Sequence, residues 1–155
     1  MSSDNLIRTS IDKPWKRPGR RAYLRARIDA LLKPPITVYP MADDVLKDED
    51  VAVTMRDGVA LRLNLYRPAN ADGPLPILLC GHPYRKDTLP KFRRGHWSGS
   101  PQFRIMNQSK PLRISDQTSW EAPDPVWWVQ HGYAVANLDT RGGGRSEGRG
   151  ELLSD

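Results

Sequence analysis

The sequence predicts an α/β domain: a mostly parallel sheet that opens with an antiparallel hairpin. Three stretches carry this expectation. An alternating hydrophobic segment is broken by Asp57-Gly58, a continuous apolar run spans Pro76 to Gly81, and a helix–glycine–strand pattern runs from Asp124 to Asp139. Helices placed between buried strands imply crossovers and parallel pairing.

The 155 residues suffice for one domain of ordinary size. Net charge is +6, and it is concentrated at the front. Residues 1–35 hold nine Lys and Arg against three Asp and Glu, which leaves the remaining 120 residues with 15 of each sign. The neutral body shows no basic field for nucleic acid, and no nucleic-acid partner is expected. The segment Arg20 to Leu32 places Leu24, Ile28, Leu31 and Leu32 at helical spacing, opposite a basic face. An Arg-rich amphipathic start is either a targeting peptide or a surface helix docked on the domain, and the interspersed acidic residues favour docking. Pro34 and Pro35 end it. Residues 1–35 are thus expected to be a basic extension and 36–155 the folded domain portion. No apolar run approaches the ~18 residues of a membrane span. A single cysteine cannot form an internal disulfide, so nothing argues for an oxidising compartment, and a cytoplasmic location is expected.

An acidic loop at Asp43 to Asp50 comes next, then the hairpin. Val51, Val53 and Met55 alternate, Arg56-Asp57-Gly58 turns, and Val59, Leu61, Leu63 and Leu65 alternate again. Leu61, Leu63 and Leu65 are expected to face the core, with Arg62 and Asn64 facing solvent. The run Pro76 to Gly81 suits a strand buried on both faces, and Cys80 within it reads as a buried, inert thiol. Residues 85–122 are polar and too long for a simple connection, so an insertion or lid is expected. Asp124 is placed as an N-cap, Pro125 at N1 and Gly132 at C′, and Tyr133 to Leu138 forms the next buried strand.

In such sheets, functional residues follow the C-terminal ends of strands. Two loops qualify: GHPYRKD after the first buried strand and DTRGGGRSEGRG after the second. The second contains Gly144-Arg145-Ser146-Glu147-Gly148, a G-x-S-x-G match. An elbow of that type needs a strand leading directly into it and a helix directly after. Here a glycine-rich loop follows Asp139, and the last histidine, His131, lies upstream of Ser146. Ser146 is therefore not expected to be a nucleophile. Arg141 is expected to pair with Asp139 or Glu147 and hold the loop. The glycines match neither the dinucleotide fingerprint nor the phosphate loop. In the first loop, Tyr84 at a strand end is either a packed loop residue or a donor to a developing oxyanion, and position alone favours packing. His82 is expected to orient that loop. His96 reads as a solvated loop residue, and His131 suits a helix C-terminus. The three histidines show no metal-ligand spacing, and no metal or other cofactor is expected.

Taken in order, VTMRDGVALRLNLYRPA, PLPILLCGHPYRK and WEAPDPVWWVQHGYAVANLDTRGGGRSEG resemble the CocE/NonD hydrolases. These relate to cocaine esterase, α-amino-acid ester hydrolases, cephalosporin acylases and X-Pro dipeptidyl-peptidases. The resemblance covers about residues 50–150. It implies the N-terminal portion of an α/β-hydrolase fold, incomplete here, in an enzyme that cleaves ester or amide acyl bonds, or X-Pro peptides, through an acyl-enzyme. It also implies that Tyr84 is the side-chain oxyanion donor, supported by His82, Asp139 and Arg141. His82 stands where the family more often has a small or hydroxyl residue. The nucleophile, in a G-x-S-Y-x-G elbow, and the triad acid and base are expected in polypeptide beyond Asp155. The implied partners are a small ester, amide or peptide substrate and the missing C-terminal portion or a partner chain. The chain alone is then expected to be inactive. The alternative is a non-catalytic, truncated or split-gene module that binds a partner.

Overall fold

The structure is a computed structural model that describes residues 19–32, 36–105 and 112–150. Residues 1–18 and Pro34 and Pro35 lie outside the described residues, and residues 106–111 are not described within the expected insertion.

A four-stranded sheet forms the centre, in the order β2 (Val45–Thr54), β3 (Ala60–Pro68), β8 (Ala134–Asp139) and β4 (Ile77–His82). Strand β2 pairs antiparallel with β3 through the expected turn. There Gly58 adopts φ 84°, and its N–H donates to the Met55 carbonyl. Strand β8 pairs antiparallel with β3 and parallel with β4. The sheet is therefore mixed, and its parallel pairing is confined to β4 and β8.

Between β4 and β8 the chain reverses through helix α3 (Pro125–Val129). Its N-cap is Asp124, whose carboxylate accepts the N–H of Val126 and of Trp127, and Pro125 fills the first position, where no donor is needed. At the other end Gly132 has φ 86°, with Tyr133 N–H donating to the Trp128 carbonyl and Gly132 N–H to that of Val129. This is a Schellman closure, which requires the left-handed conformation glycine supplies. Val126 and Val129 then bury against Val45, Tyr66 and Val135, which forms the main core on one sheet face.

Four expectations require correction here. The acidic stretch is not all loop, because β2 begins at Val45 and carries a bulge at Asp48/Val51, where Asp50 has φ 54°. Asn64 is not solvated. It is fully buried, because its side chain donates to Asp87 and accepts the Asp50 N–H. Strand β4 is an edge strand with Ile77 and Leu79 exposed, so a continuous apolar run did not signal burial on both faces. Helix α1 (Arg20–Leu32) forms and meets residues 102–105, but Leu24 and Ile28 of its apolar stripe are 51% and 55% exposed rather than packed.

The region 85–122 is structured rather than a bare connection. It holds a hairpin of β5 (Lys91–Arg93) and β6 (His96–Ser98), the short helix α2 (Gln102–Ile105), and β7 (Leu112–Ser115). β7 pairs in parallel with β1 (Ile36–Tyr39), and Phe103, Ile114 and Trp120 form a second small core beside them.

Candidate active site

Strands β4 and β8 end side by side, with His82 opposite Asp139 in the register, so the two candidate loops emerge together. The Lys86 N–H donates to Asp139 Oδ1 at 2.9 Å, and the Arg145 N–H donates to Oδ2 at 2.9 Å. Asp139 thus holds one loop with each oxygen.

His82 is buried. Its Nδ1 accepts the Tyr84 N–H at 3.2 Å, which places the ring proton on Nε2, and Nε2 lies 3.1 Å from Ser119 Oγ. Burial holds its pKa below the ordinary value, against the opposing influence of Glu121 and Asp139, so the ring is neutral. Both nitrogens are engaged. Tyr84 is 37% exposed, and its phenol has no hydrogen-bond partner among the described residues. Its carbonyl accepts the Thr88 hydroxyl at 2.6 Å.

The residue that sequence reasoning missed is Lys86. It is 1% exposed, and its ammonium lies 2.7 Å from Asp50, 2.7 Å from Asp87 and 3.9 Å from Asp139. Burial alone would lower its pKa, but the hydrogen bonds to Asp50 and Asp87 outweigh it and the net shift is upward. The Lys86 hydrogen bond correspondingly holds the Asp50 carboxyl below the usual range. Asp87 is also held low, since Lys86 and Asn64 outweigh its burial. Arg145 completes the cluster through Asp50. The signal in the sequence was a Lys-Asp pair close behind a strand end, together with an acidic stretch that offered it partners.

Ser146 follows the turn at Gly144-Arg145, with neither a strand running into it nor a helix after it among the described residues. Its hydroxyl donates to the Asp139 carbonyl at 2.6 Å and accepts the Arg62 N–H at 2.8 Å. Gly144 in the same loop has φ 53°, and a Cβ there would collide with the Asp139 carboxylate. Arg141 does not pair with Asp139 or Glu147. It reaches Asp57 in the hairpin turn at 2.8 Å, because the Asp139 oxygens are already taken by Lys86 and Arg145 and Glu147 accepts the Ala60 N–H.

Cys80 is half-buried rather than buried, with burial pushing its thiol up. His96 is exposed, and His131 stacks on Trp127 at the end of α3 at 3.8 Å. Among the described residues, no group of three or more His, Cys, Asp or Glu is arranged to hold a metal ion, and no helix is long and apolar enough to cross a membrane.

Residues 57–155 match the family model of the X-Pro dipeptidyl-peptidases, S15 family. The chain belongs to that family. Over 99 residues it is 39% identical to a cocaine esterase from Rhodococcus sp. (strain MB1 Bresler), a match that covers 64% of this chain and 12% of that protein. A crystal structure of a CocE/NonD family hydrolase from Staphylococcus aureus superposes with a TM-score of 0.52 at 31% identity, over 66% of this chain and 16% of that one. The chain therefore spans a small share of the length of the relatives it matches. Its sheet is the α/β-hydrolase sheet of these relatives, represented by four strands.

Proposed function

We propose that this chain supplies the oxyanion-stabilising side of an S15-family serine hydrolase that cleaves ester or amide acyl bonds, X-Pro peptides among them. Tyr84 is the donor. In acyl transfer, a serine oxygen adds to the substrate carbonyl carbon while its proton passes to a base. The carbonyl π electrons move onto oxygen, and a donor aimed at that oxygen stabilises the charge. The observation that carries this reading is the phenol of Tyr84, without a hydrogen-bond partner among the described residues, at the C-terminal end of β4 on a backbone anchored by His82. The other polar groups nearby support it by being occupied. His82 uses both ring nitrogens, and Ser146 uses its hydroxyl as donor and as acceptor. Asp139 ties this loop to the glycine loop, while Arg141 fastens the glycine loop to the hairpin turn. The nucleophile and its base then come from the remainder of a family-length protein.

The test is hydrolysis of a p-nitrophenyl ester and an X-Pro anilide. In a family-length protein carrying this chain, Tyr84→Phe is expected to lower kcat by about 10²–10³-fold, the loss typical of one oxyanion donor. The 155-residue chain alone is expected to show no turnover. Turnover by the chain alone that Ser146→Ala abolishes overturns the reading.

A second reading, a non-catalytic module that binds a partner chain, draws on the open edge of β4 with Ile77 and Leu79 exposed. A stable, monodisperse 155-residue protein favours it.

A further inference from the structure

Two non-glycine residues with positive φ adjoin the buried Lys86: Asp50, at 54°, pairs with its ammonium, and Arg85, at 70°, precedes it in the chain. Such backbones are sterically disfavoured and persist where the surroundings over-determine them. Asp tolerates this region because its short side chain bonds locally, but Arg has no such device, and Arg85 is exposed. The reason for its conformation lies in its neighbours. On one side the Tyr84 N–H is held by His82. On the other, Lys86 is committed inward twice, by its N–H to Asp139 and by its ammonium to Asp50 and Asp87. The Thr88 N–H closes the turn onto the Arg85 carbonyl at 3.2 Å. Between these anchors the chain must reverse within one residue, and Arg85 takes the left-handed conformation.

We propose that Lys86 is a positioning residue for Tyr84: its burial among Asp50, Asp87 and Asp139 holds Arg85 in the left-handed turn that keeps the Tyr84 phenol exposed at the strand end. The geometry stands by itself, and its catalytic meaning rests on the reading of Tyr84 as the oxyanion donor. A lysine that merely stabilised the fold would leave Tyr84 and Arg85 as they are once the sheet is intact.

The experiment is NMR on the 155-residue chain with ring-labelled tyrosine, the Tyr84 signal being assigned by Tyr84→Phe. Lys86→Met keeps the length of the side chain and removes its charge. Its Tyr84 ring signal is expected to move toward that of free tyrosine, and the Arg85 amide–Hα coupling to leave the left-handed range, while the signals of Tyr39 and Tyr66 stay. Asp87→Asn, which removes one partner, is expected to shift Tyr84 in the same direction by less, and Lys86→Arg to restore the native signal in part. A folded Lys86→Met with unchanged Tyr84 and Arg85 signals overturns the proposal. If Lys86→Met does not fold, unchanged signals in Asp87→Asn overturn it instead. Undiminished ester turnover by Tyr84→Phe in a family-length protein, by contrast, sinks the donor reading alone and leaves the positioning role standing.

Discussion

Lys86 carries a full charge in a place where water cannot reach it, and only the surrounding carboxylates make that tolerable. Two of them, Asp50 and Asp87, are themselves partly solvated, so they carry less desolvation cost than the lysine does. Truncating Lys86 to Ala removes the ammonium and leaves Asp50, Asp87 and Asp139 facing one another. A loss of about 3 kcal/mol is expected, the low end of the range for breaking a buried pair, because Asp87 can turn to solvent. Urea unfolding measures it, and a loss below about 1 kcal/mol, the value of an exposed pair, refutes the account. His82 makes a second prediction at this scale. Its pKa is depressed below the ordinary 6.5, so the unfolded chain takes up a proton before the folded one does. The contribution of His82 is therefore complete above 6.5 and is lost as pH falls through the folded value. Asp50 and Asp87, held below their ordinary 3.8, lose theirs only in more acid solution. The thermal midpoint is expected to fall between about pH 7 and pH 5, and His82→Asn to flatten that step. A native midpoint that is constant across this range contradicts the assignment.

At the scale of elements, Asp124 does more than cap a helix. Oδ1 accepts from Val126 and Trp127, while Oδ2 accepts the Ser115 N–H at 2.7 Å and the Tyr39 hydroxyl at 2.8 Å. It joins α3 to β1 and β7. Asp124→Ala is expected to cost more than the ~1 kcal/mol of an ordinary cap. Tyr39→Phe, which removes one of these bonds, should cost about 1 kcal/mol. Equal losses in chemical denaturation would show that the cap stands alone. The cap, the proline at N1 and the glycine closure were legible in the sequence because each is a local rule, fixed by residues within one turn. The Asp-Gly hairpin was legible for the same reason. The β1–β7 pairing was not, since Ile36–Tyr39 and Leu112–Ser115 are short and far apart, and neither shows a period of its own. The site divides in the same way. The two loops could be placed from strand ends and their types of residue. The burial of Asn64 and Lys86 depended on Asp50 arriving from a bulge that no local pattern announces.

For the whole molecule, the sheet has unequal faces. The helix packed on the sheet, α3, covers the face of Tyr66 and Val135. By the register, Leu61, Leu63, Leu65, Ala136 and Leu138 point to the other face, where Leu61, Leu63 and Ala136 are buried, whereas on the edge strand Ile77 and Leu79 of the same face are 60% and 66% exposed. An edge strand with unpaired backbone groups and bare apolar side chains is a template for further pairing. The isolated chain is therefore expected to self-associate with rising concentration and to bind a hydrophobic dye. Leu79→Lys places a charge on that edge at a site where little packing is lost, so the far-UV spectrum should be unchanged while the apparent mass by light scattering falls toward that of the monomer. Leu24→Lys, on the equally exposed helix α1, serves as the control. If association is driven by β4, the edge strand, the helix variant leaves it intact. If the helix variant abolishes association and Leu79→Lys does not, the apolar surface that matters is the N-terminal helix and not the open sheet.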